Sequence, residues 1–380
     1  MPDSRDLYQG REHSKIKHLF LAGYLKAASF KVLQPRSGPA TFTYVDGFAG
    51  PWSVQDDADC SDASFDYAVR VLLDTQEALR SAGKPVPKLK FLLCEKDAGA
   101  FERLSAYAAK KVGLEVRVFR GLFEDNLEAI RSACAGFTFT FIDPKGWNLR
   151  SADIAEYLSS VRGDFLFNFM EHPISRHNSL PAVNQSFARL LDDPAWNDKI
   201  AHGPGASPRE IQILDMLKDR LKSRQAAKYM PDFAILKPRA DRVQMRLVLG
   251  THHVQGVEVF RTVQKTVQGV QVETRQGLAD GGQQGLFSAL ETTELYLAGE
   301  GVGGAKSLKI AKEICKEIMT PIFHGVHFDA LAAQIMEKAA VRMTNVKDIV
   351  LELRSSGFLK FDLDPGAKKP SDRTLIWRTR

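Results

Sequence analysis

Apolar residues first recur at helical spacing in 12–30, where Ile16, Leu19, Phe20, Gly23, Tyr24 and Ala27 share one face and predict an amphipathic helix. "RSGPA" (36–40) breaks the pattern, and "TFTYVD" (41–46) then reads as a strand. Beyond a polar stretch at 53–64, Phe65, Ala68, Val69, Leu72, Leu73 and Leu79 make the next helical face, which Gly83 and Pro85 end. From there the two periods alternate. "LKFLLCE" (89–95), "LEVRVF" (114–119), "FTFTFID" (137–143) and "DFLFNFM" (164–170) are strand-length runs, with helical patterns at 97–111, 123–134 and 151–161 between them. Largely apolar strands separated by helices predict a parallel sheet covered on both faces.

A helical insertion follows at about 180–225. "DFAILKP" and "VQMRLVLGTH", joined by "RADR", then read as a β-hairpin, with a helix starting near Val254. The fold class expected for 1–275 is therefore α/β, a Rossmann-like parallel sheet closing with an antiparallel hairpin. Residues 276–305 are glycine-rich and weakly periodic, a linker region with short helix inside it. Amphipathic patterns at 306–319, 327–339 and 345–355 come next, the last opening at Thr344-Asn345, residue types that cap helix N-termini. "GFLKFDLDPGAKKPSDRTLIWRT" adds two alternating strands around a loop tipped by Lys368-Lys369. Three helices and a hairpin in this order predict a winged-helix-like domain at 306–380.

Composition narrows the function classes. With 380 residues, 44% of them hydrophobic, the chain can bury two cores. No apolar run approaches the ~18 residues that span a bilayer, and the first residues lack the apolar stretch of a secretory signal. The four cysteines form no C-x-x-C pair and have no His at ligand spacing. That argues against a zinc or iron–sulfur centre and for a reduced, cytoplasmic setting, without a membrane partner. Net charge is +6, and residues 301–380 hold 14 Lys/Arg against 9 Asp/Glu, so most of the excess lies in the terminal module. A basic module suits a polyanion such as nucleic acid; an ordinary solvated surface accounts for it too.

In an open α/β sheet, ligands sit at the carboxyl ends of the strands. The first strand ends in Asp46 and the turn Gly47-Phe48-Ala49-Gly50, the second in Glu95-Lys96-Asp97, and the third leads to Glu124-Asp125. The fourth ends in Asp143-Pro144-Lys145-Gly146-Trp147, and the fifth carries Asn168, Glu171 and His172. Glycines let backbone approach a ligand, and an acid ending the second strand can accept from ribose hydroxyls. With an acid near the third strand for an adenine amino group, the three make an adenosine pocket. The turn matches neither G-x-G-x-x-G nor G-x-x-x-x-G-K-[ST], which disfavours dinucleotides and P-loop phosphates.

"DGFAGP" resembles the first motif of class I S-adenosylmethionine-dependent methyltransferases. "FIDPKGW" resembles the D-P-P-Y motif of amino-methyltransferases and the D-P-F-G variant of tRNA guanine-N2 methyltransferases. "EHSKIKH" resembles, with a one-residue difference in spacing, the H-x-x-x-x-K-H element of ribosomal-RNA adenine-N6 methyltransferases. As an ordered set, "HSKIKH", "YVDGFAGP", "CEKD", "FTFIDPKGW", "FNFM" and "THH" resemble the bacterial three-Cys-motif partner (TcmP) family, over about 12–265 and the terminal module. The resemblance implies a methyltransferase-like fold and pairing with a three-cysteine protein that looks like a radical S-adenosylmethionine enzyme. The chain departs from many relatives in having Pro51-Trp52 for Pro-Gly and Lys145 for Phe.

The expectation that follows is an S-adenosylmethionine-dependent methyltransferase acting on an exocyclic amino group of a base. Lys17, beside His13, would hold the methionine carboxylate. Asp46, Gly47, Phe48 and Gly50 would line the methionine end, Glu95 and Lys96 the ribose, and Glu124 or Asp125 the adenine. Asp143, Pro144 and Lys145 would meet the acceptor nitrogen, with Trp147 stacked on the base; a strand end and a packed indole are the plainer alternatives. The rival is a degenerate scaffold that docks a partner protein through 180–225 and the terminal module. His252-His253 and His324/His327 are weaker candidates, and Cys94 reads as a buried core residue.

Overall fold

The computed structural model describes residues 8–33, 40–51, 54, 56, 59–171, 181–279, 286–322 and 324–379. Trp52 and His172, singled out from the sequence, lie outside them, as do 280–285 of the expected linker. Helix α1 (Glu12–Val32) precedes strand β1 (Thr41–Asp46), and α2 (Ser64–Ser81) leads to β2 (Lys88–Glu95). Then come α3 (Ala98–Lys110), β3 (Glu115–Arg120), a 3-10 turn at Phe123–Asp125 and α4 (Leu127–Ala133). β4 (Phe137–Ile142), α5 (Ser151–Ser160) and β5 (Gly163–Met170) complete the alternation. β1, β4 and β5 are buried along nearly their whole length, as apolar strands between two helical layers must be.

The insertion forms α6 (Pro181–Leu191), a 3-10 turn and α7 (Arg209–Ser223), and the hairpin is β6 (Asp232–Leu236) with β7 (Val243–Gly250). The seven strands run in the order β3-β2-β1-β4-β5-β7-β6. β1 through β5 pair in parallel, and β7 runs antiparallel to β5. The α/β sheet with an antiparallel close is thus the Rossmann-like arrangement expected. Its order reverses between β1 and β4, so their helices leave in opposite directions and a crevice opens at their carboxyl ends.

The chain divides into two compact units, Met1–Lys228 with Phe233–His252, and Tyr229–Asp232 with His253–Arg380. Helix α8 (Val254–Ala279) therefore belongs to the second unit, earlier than the break placed at 275 from the sequence. Val257 packs into that unit's core, and Arg261 ties the helix to it. Its buried guanidinium donates to the carbonyls of Met336 and Glu337 at 2.7 and 2.9 Å and to Gln264 Oε1 at 2.6 Å. A buried charge is tolerated only when so satisfied. Burial lowers its pKa to about 10. Residues 286–299, read as linker, form helix α9 (Leu286–Gly299).

The second unit continues with α10 (Ala305–Met319), β8 (Val326–His327), α11 (Phe328–Lys338), α12 (Met343–Ser355), β9 (Leu359–Lys360) and β10 (Leu375–Arg378). Its three strands pair antiparallel in the order β8-β10-β9 over a core that includes Cys315, Phe328, Leu331, Val346 and Ile376. Asn345 lies within the first turn of α12, not at its cap, and its Oδ1 accepts from Arg342 N at 3.0 Å. At the loop tip, Lys369 pairs with Asp348 of α12.

One close approach holds the hairpin to the parallel sheet. A Cβ at Gly250 would lie 2.0 Å from the ring of Phe165, its cross-strand partner. Gly250→Ala is expected to destabilise the protein by about 1–3 kcal/mol through overpacking. Urea unfolding would show a lower midpoint at unchanged slope.

Candidate functional site at the sheet's carboxyl edge

The turn after β1 is shaped by a buried carboxylate. Asp46 is fully buried. Its Oδ1 accepts from Phe48 N at 3.0 Å, and Oδ2 accepts from Ser64 Oγ at 2.9 Å and Tyr44 OH at 3.2 Å. The turn is stitched to both neighbouring strands, Gly47 N donating to Phe141 O at 3.0 Å and Ala49 N to Cys94 O at 2.9 Å. Gly47 is required, because a Cβ there would stand 2.9 Å from the Phe123 ring. Burial pushes the Asp46 carboxyl up to about 7 against the hydrogen bonds from Phe48, Ser64 and Tyr44.

A cavity of about 410 Å³ opens at this edge. Gly47, Phe48 and Gly50 line it from the turn, and His13 and Lys17 from α1. Glu95, Lys96 and Glu124 line it from the strand ends beyond β1, and Asp143, Pro144 and Lys145 from the end of β4. Asp46 itself is not on its wall. Its part is to fix the turn.

Three residues, from α1, the segment just after β4, and β5, meet there. Lys17 forms an ion pair with Asp143 Oδ2, and Asn168 Nδ2 donates to Asp143 Oδ1 at 2.6 Å. Lys17, expected to hold a cofactor carboxylate, is thus engaged by Asp143 in this structure. Asn168 lines the cavity and is 1% exposed, and its Oδ1 is buried without a hydrogen-bond partner among the described residues. Beside them, burial and the charge of Lys17 lower the pKa of His13. His18, fully buried with Nδ1 2.8 Å from Tyr8 OH, is lowered further for the same first reason.

The acids beyond β1 divide in role. Glu95 is 3% exposed and accepts from Asp97 N at 2.6 Å. Burial raises its pKa while the Asp97 and Lys96 amides oppose the shift. Exposed Lys145 is lowered by desolvation, with the charges of Glu95 and Asp143 opposing. Glu124 lines the cavity and accepts from Arg150 N at 3.3 Å. Asp125 is turned away, to Arg150 Nη2 at 2.7 Å, so of the two acids offered for an adenine it is Glu124 that faces the cavity.

Trp147 is the clear departure. Its Nε1 donates to Met170 O at 3.0 Å and its ring packs 4.8 Å from that of Phe187 in α6, off the cavity wall. The positive φ of Gly146 (125°) turns the chain so that the indole roots the insertion. It offers no stacking face. Asn168, named at the end of the fifth strand without a role, belongs to this cluster; its signal in sequence is an amide inside the run "FLFNFM". His252 and His253 are exposed and line no part of the cavity. His327 Nδ1 lies 3.1 Å from Arg373 O, and among the described residues no cluster of three His, Cys, Asp or Glu is placed to hold a metal ion. No described helix is long and apolar enough to cross a membrane.

No family model matches the chain, and no curated protein matches its sequence. Among solved structures it is similar to human methyltransferase-like protein 13 in complex with SAH, at 12% identity and TM-score 0.33, over 72% of this chain and 89% of that one. It is similar to loganic acid methyltransferase with SAH at 8% identity and TM-score 0.34, over 78% and 91%. Protein LPL1258 from Legionella pneumophila gives 11% and 0.32, over 63% and 84%. Likenesses at these scores carry no functional argument. The residues of the crevice must supply it.

The Asp46 environment sets a pH signature. Its pKa is raised from 3.8 to about 7 in the folded protein, so between those values the folded state binds the proton more tightly than the unfolded chain does. Its contribution to stability is therefore full below about pH 4 and declines as pH rises to about 7. Measured against Asp46→Asn, whose amide does not titrate, the wild type's relative urea midpoint should fall across that window and be flat on either side.

Proposed function

We propose that this chain is an S-adenosylmethionine-dependent methyltransferase that methylates an exocyclic amino group of a nucleic-acid base. The observation that carries the reading is convergence: the glycine turn after β1, the buried acid ending β2 and the Asp143-Pro144 end of β4 open on one cavity at the point where the strand order reverses. The residues fit the cofactor. Glu95 suits ribose hydroxyls, Glu124 with Leu122 suits an adenine, and the turn held by Asp46 brings backbone close to the methionine end. When bound, the cofactor supplies an electrophilic methyl group on a sulfonium.

The chain's own contribution is alignment. Asp143, fixed by Lys17 and Asn168, has lone pairs left to accept from an amino group, which orients the nitrogen lone pair. Positioning of this kind can contribute several kcal/mol to a barrier. The second unit reads as winged-helix-like, with α12 and the loop carrying Lys368-Lys369 as the surface for nucleic acid. A three-Cys-motif protein is the partner that the family resemblance suggests.

Isothermal titration with S-adenosylmethionine and S-adenosylhomocysteine tests the core of the proposal. Micromolar binding is expected, weakened about 10- to 100-fold in Glu95→Ala, the scale of a lost hydrogen bond to a charged group. Label transfer to RNA and DNA then tests the substrate. A folded protein that binds neither compound would overturn the methyltransferase reading and leave the protein-docking scaffold in its place.

A further inference from the structure

We propose that Asn168 is the specificity-determining residue of the acceptor subsite, its side-chain carbonyl accepting a hydrogen bond from the exocyclic N–H of the base; this rests on the methyltransferase reading above. Asn168 sits in the interior of β5, 1% exposed, between Phe167 and Phe169, four residues beyond the strand's other buried polar side chain, Asp164. Its orientation is set by chemistry, because a carboxylate oxygen only accepts. The group 2.6 Å from Asp143 Oδ1 must be the amide nitrogen, and the carbonyl is the other end.

That carbonyl has no donor among the described residues. A buried acceptor left unmade costs about 1–3 kcal/mol, and few such groups persist in folded proteins without a use. An apolar residue in this strand would avoid that cost. Asn168 is also one of the residues lining the cavity, alongside Asp143 and Pro144. What completes it is a donor brought by the bound molecule.

The neighbours select the kind of donor. Asp143 has one oxygen on Lys17 and the other on Asn168, so this corner already holds a cation and a carboxylate in balance. A neutral N–H donor fits it better than a second charge, whose desolvation nothing nearby would offset. A base amino group offers two N–H bonds. With one on Asn168 Oδ1 and the other on the Asp143-Pro144 segment, a base carrying a carbonyl or hydrogen at that position would leave the Asn168 acceptor buried and unmade. A site built this way rejects the analogue lacking the donor.

The test uses the full chain saturated with S-adenosylhomocysteine. Uridine pentanucleotides carry a central adenosine, cytidine or guanosine, each matched with an analogue lacking the amino group: purine riboside, zebularine or inosine. Fluorescence anisotropy reads binding. The wild type should prefer one amino-bearing base over its matched analogue by about 10-fold, and Asn168→Leu should reduce that preference below about 2-fold while keeping its affinity for S-adenosylhomocysteine. Asn168→Ser, too short to reach the base, should behave likewise and serves if the leucine variant does not fold.

A merely structural amide would weaken all six oligonucleotides together. That result overturns the proposal, as do a wild type without preference and a variant that keeps it. Failure of the wild type to bind S-adenosylhomocysteine at all would remove the methyltransferase reading itself, a distinguishable outcome.

Discussion

A carboxylate buried at the end of the central strand is the constraint on which the crevice depends. Asp46 could not stay there alone, since an unpaired acid in a sheet interior is costly. Three donors accept that burden: the next turn's amide at Phe48, the first residue of α2 at Ser64, and Tyr44 of its own strand. Each bond also fixes something. The Phe48 amide sets the turn, Ser64 sets where α2 begins, and Tyr44 ties both to the sheet. The space beside β1 exists because this cluster holds the chain back from it.

The opposite wall is held by a second polar cluster of a different kind. Lys17, Asp143 and Asn168 come from α1, the segment just after β4, and β5, and their contact joins the first helix of the unit to the end of the parallel sheet. Removing one member of such a partly buried group costs more than the pair contributes, because it strands the others. The cluster therefore specifies geometry as much as stability. α1 is placed by it against the cavity mouth, which explains why a helix outside the strand–helix alternation lines the site.

Much of this was legible beforehand, and for a physical reason. Alternating strand and helix runs are written in burial, so the five parallel strands and the closing hairpin follow from apolar runs such as "FTFTFID". The strand-end acids follow as well, since an α/β sheet places its ligands there. What a one-dimensional pattern does not carry is where side chains turn. Asp125 and Glu124 are adjacent and chemically alike, yet Arg150, 25 residues away, takes Asp125 out of the cavity. Trp147 has the composition of a stacking residue and the position of a packing one, because Phe187 lies across from it. Arg261, a charge in an amphipathic helix, gives no sign in sequence that it is buried, so its tie of α8 to the second unit was not legible either.

The crevice also resolves how several acids share one edge. Asp46, Glu95 and Asp143 converge from three adjacent strands, and like charges at such a site repel. Each is relieved differently. Burial favours the protonated form of Asp46, Lys17 compensates Asp143, and the Asp97 and Lys96 amides hold Glu95. The edge therefore presents hydrogen-bond acceptors without accumulating net charge. Under the function proposed above, a ligand would be read there by the donors it brings, hydroxyls at Glu95 and an amino group between Asp143 and Asn168. The acid at the head of the glycine turn is buried and serves the turn itself, while the cations Lys17, Lys96 and Lys145 line the cavity beside Glu95 and Asp143.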